Sequence, residues 1–261
     1  MKVIAVANQK GGVGKTTIAR HLAFYGARKK KLRTLAWDFD VQRNFTTTWE
    51  NLRQSAGVEP DQEELVVSRL LDGSMHKLRP SKAEARLDYV AADEAITTIE
   101  RADLSQVIKA GQASLRSMSE DYDICVIDTG PSVSNLLIVA LSLADFAVSP
   151  CKPDRDAISG LAGFFSNVVR VRDESGINPR LASLGVLPNQ LVPRRGYHRD
   201  MVAEMRSAWG DGVLPVQLNE RAAIDVAKDK PVWETERGES RGLPAKEMLA
   251  VCEHVFKRMG F

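Results

Sequence analysis

The chain has 261 residues, which suits one large α/β domain or two small ones; a chain this long buries about 70–75% of its unfolded surface and needs no disulfide or metal staple. Its 36 Lys and Arg against 34 Asp and Glu leave a net charge of +2, which excludes a surface basic all over and confines any DNA contact to a local patch. Hydrophobic residues at 44% and charged residues at 27% exclude a disordered chain, and the longest apolar stretch, 136–148, is too short and too interrupted by Ser142 and Asp145 to span a bilayer. In chain order, residues 2–7 form a β-branched apolar run that predicts a strand, 9–15 are glycine-rich, and 16–30 carry helical spacing through Ile18, Leu22 and Tyr25. The basic run Arg28, Lys29, Lys30, Lys31 and Arg33 falls where that helix should end, and is expected to complement a helix carboxyl end in solvent. Short apolar runs at 33–37 and 122–127 each lead into an aspartate, as buried parallel strands do when they deliver polar groups at their carboxyl ends. Residues 51–121 read as mixed short helices broken by Pro60, Gly73 and Pro80, with a strand at 87–91 and no assigned chemistry. Further strands are predicted at 146–149 and 184–187. The alternation predicts an α/β fold, a doubly wound, mostly parallel sheet flanked by helices, in a single domain over 1–261.

The strongest chemical signal is Gln9-Lys10-Gly11-Gly12-Val13-Gly14-Lys15-Thr16-Thr17 between the first strand and the first helix. Glycines there let backbone N–H groups close around phosphate oxygens, and the helix start adds its positive end. Lys15 neutralises β- and γ-phosphates, and the Thr16 hydroxyl is placed to ligate Mg²⁺. A merely flexible turn would not need Lys-Thr-Thr directly after the glycines. The three cysteines, Cys125, Cys151 and Cys252, are far apart and make neither a disulfide framework nor a CxxC site, as suits a reducing cytoplasm. The histidines His21, His76, His198 and His254 show no metal or catalytic spacing.

The loop Lys10-Gly-Gly-Val-Gly-Lys15-Thr16 resembles the deviant Walker A box of the ParA/MinD superfamily of P-loop ATPases, with Gln9 where the general pattern has glycine. Asp38-Phe39-Asp40-Val41-Gln42-Arg43-Asn44 is similar to the family's Asp-x-Asp-Pro-Gln-Gly-Asn stretch, with Val41 and Arg43 in place of proline and glycine. The run from Tyr122 through Asp128 to Ser132 is similar to its Walker B strand and switch, with Gly130 where proline is usual. The resemblance implies ATP and Mg²⁺ as cofactors and ATP hydrolysis as the reaction. It implies that Lys10 crosses a dimer interface to the partner's nucleotide, acting on developing phosphate charge as an arginine finger does. Asp40 would orient the attacking water, Asp128 would hold Mg²⁺ and Asp38 would stand behind it. Asn189 falls at the position that reads the adenine edge, or is an ordinary turn asparagine.

With the phosphate loop beginning at the ninth residue, the chain is expected to lack the amino-terminal helix-turn-helix domain of longer ParA proteins. It is similar to the short partition ATPases, cytoplasmic and nucleoid-associated. The family role implied is an ATP-dependent homodimer that binds double-stranded DNA without sequence preference and is stimulated by a ParB-like protein on the cargo. Arg194, Arg195, Arg199 and Arg221 correspond loosely to arginines that touch the DNA backbone. The competing MinD-like reading needs an amphipathic carboxyl-terminal helix on a membrane. Residues 246–259 align Leu249, Cys252, Phe256 and Met259, but Glu247, Glu253 and His254 weaken any cationic face, so a helix docked on the sheet, with no stable membrane association, is expected.

Overall fold

The computed structural model describes the chain apart from residues 61–62, 75–77, 132–133, 155–156, 175 and 236–241, and apart from the side chains of 157–160. Ser132 and His76 therefore lie outside the described residues. Seven strands, β1 (Lys2–Val6), β2 (Thr34–Phe39), β3 (Ser81–Glu84), β4 (Leu87–Val90), β5 (Ile124–Thr129), β6 (Phe146–Cys151) and β7 (Ala182–Pro188), form one sheet in the order β3-β4-β2-β5-β1-β6-β7. Every neighbouring pair is parallel except β3 with β4. The central strands β2 and β5 are buried along their whole length, so their sequences read as continuous apolar runs rather than alternating ones. The antiparallel edge strand β3 escapes the sequence reading because its four residues, Ser-Lys-Ala-Glu, show only a short polar alternation, with Ser81 and Ala83 buried and Lys82 exposed.

Ten helices connect and cover the described strands. On one face lie α1 (Lys15–Phe24), α2 (Asn44–Ser55) and α10 (Leu243–Arg258), packed through Ile18, Leu22, Phe45, Trp49, Met248 and Phe256 onto Ile4, Val6, Ala36 and Val126 of the sheet. The other face, with Val3, Ala5, Leu35, Trp37 and Ile127, is covered chiefly by α3 (Val67–Leu71), α4 (Ile96–Ile99), α5 (Leu104–Met118), α6 (Asn135–Leu143), α7 (Ala157–Val169) and α8 (Gly196–Trp209). The short α9 (Ala222–Val226) precedes α10. The predicted first helix extends as far as expected but widens at its end into a π-helical turn, Tyr25–Lys29, closed by the Lys30 N–H on the Tyr25 carbonyl at 3.0 Å. Gly26 lets this turn lie against β2: a Cβ there would sit 2.9 Å from Thr34 Oγ1. The α10 residues Met248, Val251, Cys252, Val255 and Phe256, with Met259 just beyond, are buried in the same core as α1, and Leu249 packs against it partly buried.

Candidate functional site: a phosphate loop over a buried carboxylate

Parallel strands place their carboxyl ends along one edge of the sheet, and the loops leaving β1, β2, β5 and β7 there build the site. Asn8, buried at the end of β1, donates its amide to Ser149 Oγ (3.0 Å) and the Pro150 carbonyl (2.9 Å), and accepts the Lys10 N–H (2.8 Å). These bonds tie the start of the loop to β6. From beyond β7, Asn189 Nδ2 donates to the Val13 carbonyl at 2.7 Å and Gln190 Nε2 to the Gly12 carbonyl at 3.0 Å, so two loop carbonyls are held on that side. Gly14 has φ +92°, a left-handed conformation, and an added Cβ would overlap the Asn189 amide nitrogen. Helix α1 starts directly after it with no side-chain cap, leaving its first N–H groups open to an anion. Asn8 and Gln190 were not singled out by the sequence. The signal for Asn8 is its place between strand and loop, and for Gln190 its position directly after the Pro188-Asn189 turn, where it takes φ +56°.

Lys15 is buried and donates Nζ to the Lys10 carbonyl at 3.1 Å. Burial lowers its proton affinity, and the carboxylates of Asp128 and Asp40 pull it back up. Strand register supplies the rest: β2 and β5 pair Asp38 with Asp128, and β1 and β5 pair Val6 with Asp128, so both carboxyl groups point to the α1 face just below the loop. The two then play different parts. Asp38 accepts the Asp40 N–H at 3.0 Å through Oδ1, and the Thr46 N–H (2.8 Å) and hydroxyl (2.7 Å) through Oδ2, so its oxygens are spent on joining β2 to α2. Asp128 is fully buried, and neither oxygen makes a hydrogen bond of good geometry; the Thr16 hydroxyl interacts with it only weakly. Burial, with the Asp38 carboxyl beside it, raises its proton affinity well above the usual carboxylate range, and the Thr16 hydroxyl and Lys15 ammonium only partly offset that.

A carboxylate this deep without a well-made hydrogen bond is costly unless a countercharge arrives. Asp128 with the Thr16 hydroxyl fits Mg²⁺, a hard cation that takes few protein oxygens and keeps waters and phosphates for the rest. Asp40 lies at the mouth of the site, 7% exposed, with Oδ1 accepting the Gln42 N–H at 3.0 Å. Gly130 faces it: a Cβ there would lie in ordinary contact with Asp40 Oδ1, at 3.4 Å. Beside Asp40 an open cleft of about 360 Å³ runs between Phe39, Val41, Pro131 and Leu136.

Lys10 points away from its own loop. Its ammonium meets both carboxylate oxygens of Asp154, at 2.8 and 2.6 Å. Arg194, Arg195 and Arg199 are exposed at the start of α8, on the same edge of the sheet as the loop. Arg221 is separate from them in character: it is half-buried and ion-paired with Glu247 at 2.9 Å, and Glu247 also accepts from Asn219.

Together these features define a P-loop nucleoside-triphosphate site on a doubly wound sheet. A family model described as an AAA domain matches residues 1–183. Protein IncC of Escherichia coli is 30% identical over 99% of this chain and 70% of its own length. The chromosome-partitioning ATPase Soj of Thermus thermophilus is 36% identical over 81% of this chain and 78% of its own. Among solved structures, a putative plasmid partition protein of Borrelia burgdorferi bound to AMPPNP superposes with a TM-score of 0.76, covering 98% of this chain and 99% of that one at 20% identity, a likeness of fold. The chain belongs to the ParA-type partition ATPases of the P-loop class.

Proposed function

We propose that this chain is a Mg²⁺-dependent ATP hydrolase of DNA partition, a single P-loop domain that dimerises on ATP and binds double-stranded DNA without sequence preference. A ParB-like protein on the cargo stimulates its turnover in the cytoplasm, at the nucleoid. The observation that carries this reading is the fully buried Asp128 carboxyl, which makes no hydrogen bond of good geometry, beneath an uncapped helix start with Lys15 and Thr16 beside it. Mg²⁺ bound there would supply the countercharge and polarise phosphate oxygens. The chain's own residues do the remaining work. Gly11, Gly12, Val13 and Gly14 present backbone N–H groups, Lys15 and Thr17 bind phosphate at the α1 start, and Asn189 braces the loop on the base side. Asp40 orients water at the open mouth, and Lys10 leaves Asp154 to act on the partner subunit's nucleotide.

DNA contact is assigned to Arg194, Arg195 and Arg199, whose guanidinium groups are exposed on the loop's edge, with Arg221 at its margin. Dimerisation would double this patch and so the counterions it releases. The MinD-like alternative loses support because the apolar face of α10 is spent on the α1 core. No helix among the described residues is long and apolar enough to cross a membrane. Sedimentation with ATP, with and without DNA or anionic vesicles, tests the proposal: co-pelleting with DNA only when ATP is present is expected, and ATP-dependent pelleting with vesicles alone would replace it with the MinD-like reading.

A further inference from the structure

Arg199, Val202, Ala203 and Arg206 follow one another along α8 at three- and four-residue steps, so they share one side of that helix. Opposite this stripe run the chain leaving β7 and the stretch that ends at Asn219. The two are joined by the Leu191 N–H on the Leu218 carbonyl at 3.0 Å and the Glu220 N–H on the Leu191 carbonyl at 2.8 Å. Between helix and chain lies a groove of about 290 Å³. Its buried lining is Leu191, His198 and Val202, and Arg199 and Arg206 stand exposed on its rim.

The extended wall cannot take on an added strand. Beyond the pairs at Leu191, the Val192 N–H is given to His198 Nδ1 at 3.1 Å and the Val192 carbonyl accepts the Arg195 N–H at 2.9 Å, so this backbone is already spent. Recognition must run through side chains. No Asp or Glu lines the groove, and neither rim arginine has an ion pair among the described residues; Arg206 reaches only Gln217 Oε1, at 3.5 Å. The carboxylates at neighbouring positions, Asp200, Glu204 and Glu220, stay outside the lining, and Glu247, which accepts from Asn219, is shared with Arg221. The phosphate backbone of DNA gains nothing from an apolar floor, whereas an apolar centre inside a polar rim is the anatomy of a protein interface.

The spacing of the rim narrows the partner further. Arg199 and Arg206 are two helical turns apart, roughly 10.5 Å along the axis. A helix laid along α8 meets both with carboxylates seven residues apart, and the residue three or four places after the first carboxylate then falls over the apolar floor. We infer that this groove is a docking site for an acidic amphipathic helix of a partner protein, which seats one large apolar side chain on Leu191 and Val202 between carboxylates that meet Arg199 and Arg206. A second copy of this chain does not supply it: no exposed large apolar residue of a described helix has Asp or Glu three or four places both before and after it in that helix. The groove lies within one subunit, and the inference stands whether or not the arginines at the start of α8 bind DNA.

The test uses the full chain at about 0.15 M salt and follows fluorescence anisotropy of a labelled, alanine-rich helical peptide of about 16 residues, with Glu at positions i and i+7 and Leu at i+4. Wild type is expected to bind it saturably. Replacing the peptide's Leu by Ser should weaken binding at least about tenfold, the order of burying one leucine. Arg206→Glu and Ala203→Glu, both at exposed positions, should each lose at least about tenfold with an unchanged circular dichroism spectrum and ATP affinity. R199E/R206E should prefer a peptide with Lys in both Glu positions over the Glu peptide, a reversal that misfolding cannot produce. No saturable binding of the Glu peptide by wild type, equal binding of the Ser peptide, unchanged binding by both single variants, or no reversal in the double variant would each overturn the inference. Weaker duplex-DNA binding by R206E and A203E, with the Glu peptide left unbound by wild type, would overturn it in favour of DNA.

Discussion

Lys10 and Asp154 are 144 residues apart in the chain, yet the lysine ammonium lies between both oxygens of the aspartate carboxylate, at 2.8 and 2.6 Å. The lysine proposed to serve the partner's nucleotide is thus held within its own subunit, on the segment that follows β6. Moving it across a dimer interface means giving up a charge-assisted pair, so dimer contacts must replace that pair.

Separate behaviour of the two loop lysines follows. Lys15→Ala should abolish ATP binding. Lys10→Ala should leave it largely intact and stop dimerisation or hydrolysis, each charge-assisted contact being worth roughly 1.5–3 kcal/mol. Asp154→Asn, which keeps the shape and removes the charge, should lower the ATP concentration needed for dimerisation several-fold in analytical ultracentrifugation. Normal hydrolysis by a Lys10→Ala dimer would remove the deviant-loop assignment.

Asp38 and Asp40 stand two residues apart and should fail differently. Asp38→Ala strips the partners from buried Thr46 and the Asp40 N–H, and should cost about 2–4 kcal/mol in denaturant unfolding. Asp40→Ala gives up one bond to the Gln42 N–H and should unfold near wild type, bind ATP, assemble as a dimer and turn over far more slowly. Wild-type turnover by Asp40→Ala would take the water-orienting role away from Asp40.

Gly14→Ala tests the loop geometry without touching a charged group. The positive φ and the Asn189 amide leave no room for the methyl, so the Asn189 brace on Val13 must move. Nucleotide affinity by isothermal titration should fall by at least about tenfold, roughly 1.4 kcal/mol, with global stability lowered by about 1 kcal/mol. Undiminished affinity would show that this brace is dispensable.

His21 couples α1 to the segment before α10: Nδ1 donates to the Thr17 carbonyl at 2.8 Å, and Nε2 accepts the Val232 N–H at 3.2 Å. Burial lowers its pKa from 6.5 to about 3, with the nearby Arg20 charge adding to the effect and the Thr17 carbonyl opposing it. Because the folded value lies below the unfolded one, the unfolded chain binds more protons between them, and stability falls as pH drops through about 6.5 towards 3. The loss from this group is about 2 kcal/mol at pH 5 relative to pH 8. His21→Gln should be less stable at pH 8 yet show a flatter decline, read as the difference between the two proteins' unfolding curves. Parallel curves would assign the acid sensitivity to other groups.

Much of this was legible locally. A glycine loop between an apolar strand and a helix specifies phosphate binding through neighbouring residues alone, because the turn, the helix start and Lys15 all lie within a few positions of one another. Central strands β2 and β5 were legible because burial on both faces demands unbroken apolar runs ending in aspartate. Within residues 51–121 the strand at 87–91 was legible, as β4, but β3 is a short polar edge strand and α3 and α4 are one turn each, too brief for any periodicity to show, and the 15-residue α5 is longer than the short helices expected there.

By itself, then, the sequence determined the fold class, the phosphate loop and a short list of carboxylates, because each depends on contacts between near neighbours in the chain. Only the tertiary structure separated the members of that list. Strand register set Asp38 beside Asp128, Thr46 consumed the first and left the second without such bonds, Asp154 came from the end of β6 to hold Lys10, and Glu247 of α10 claimed Arg221. A carboxylate's task depends on which donors and charges surround it once water is excluded. Those neighbours come from elements tens of residues away, which no local pattern specifies.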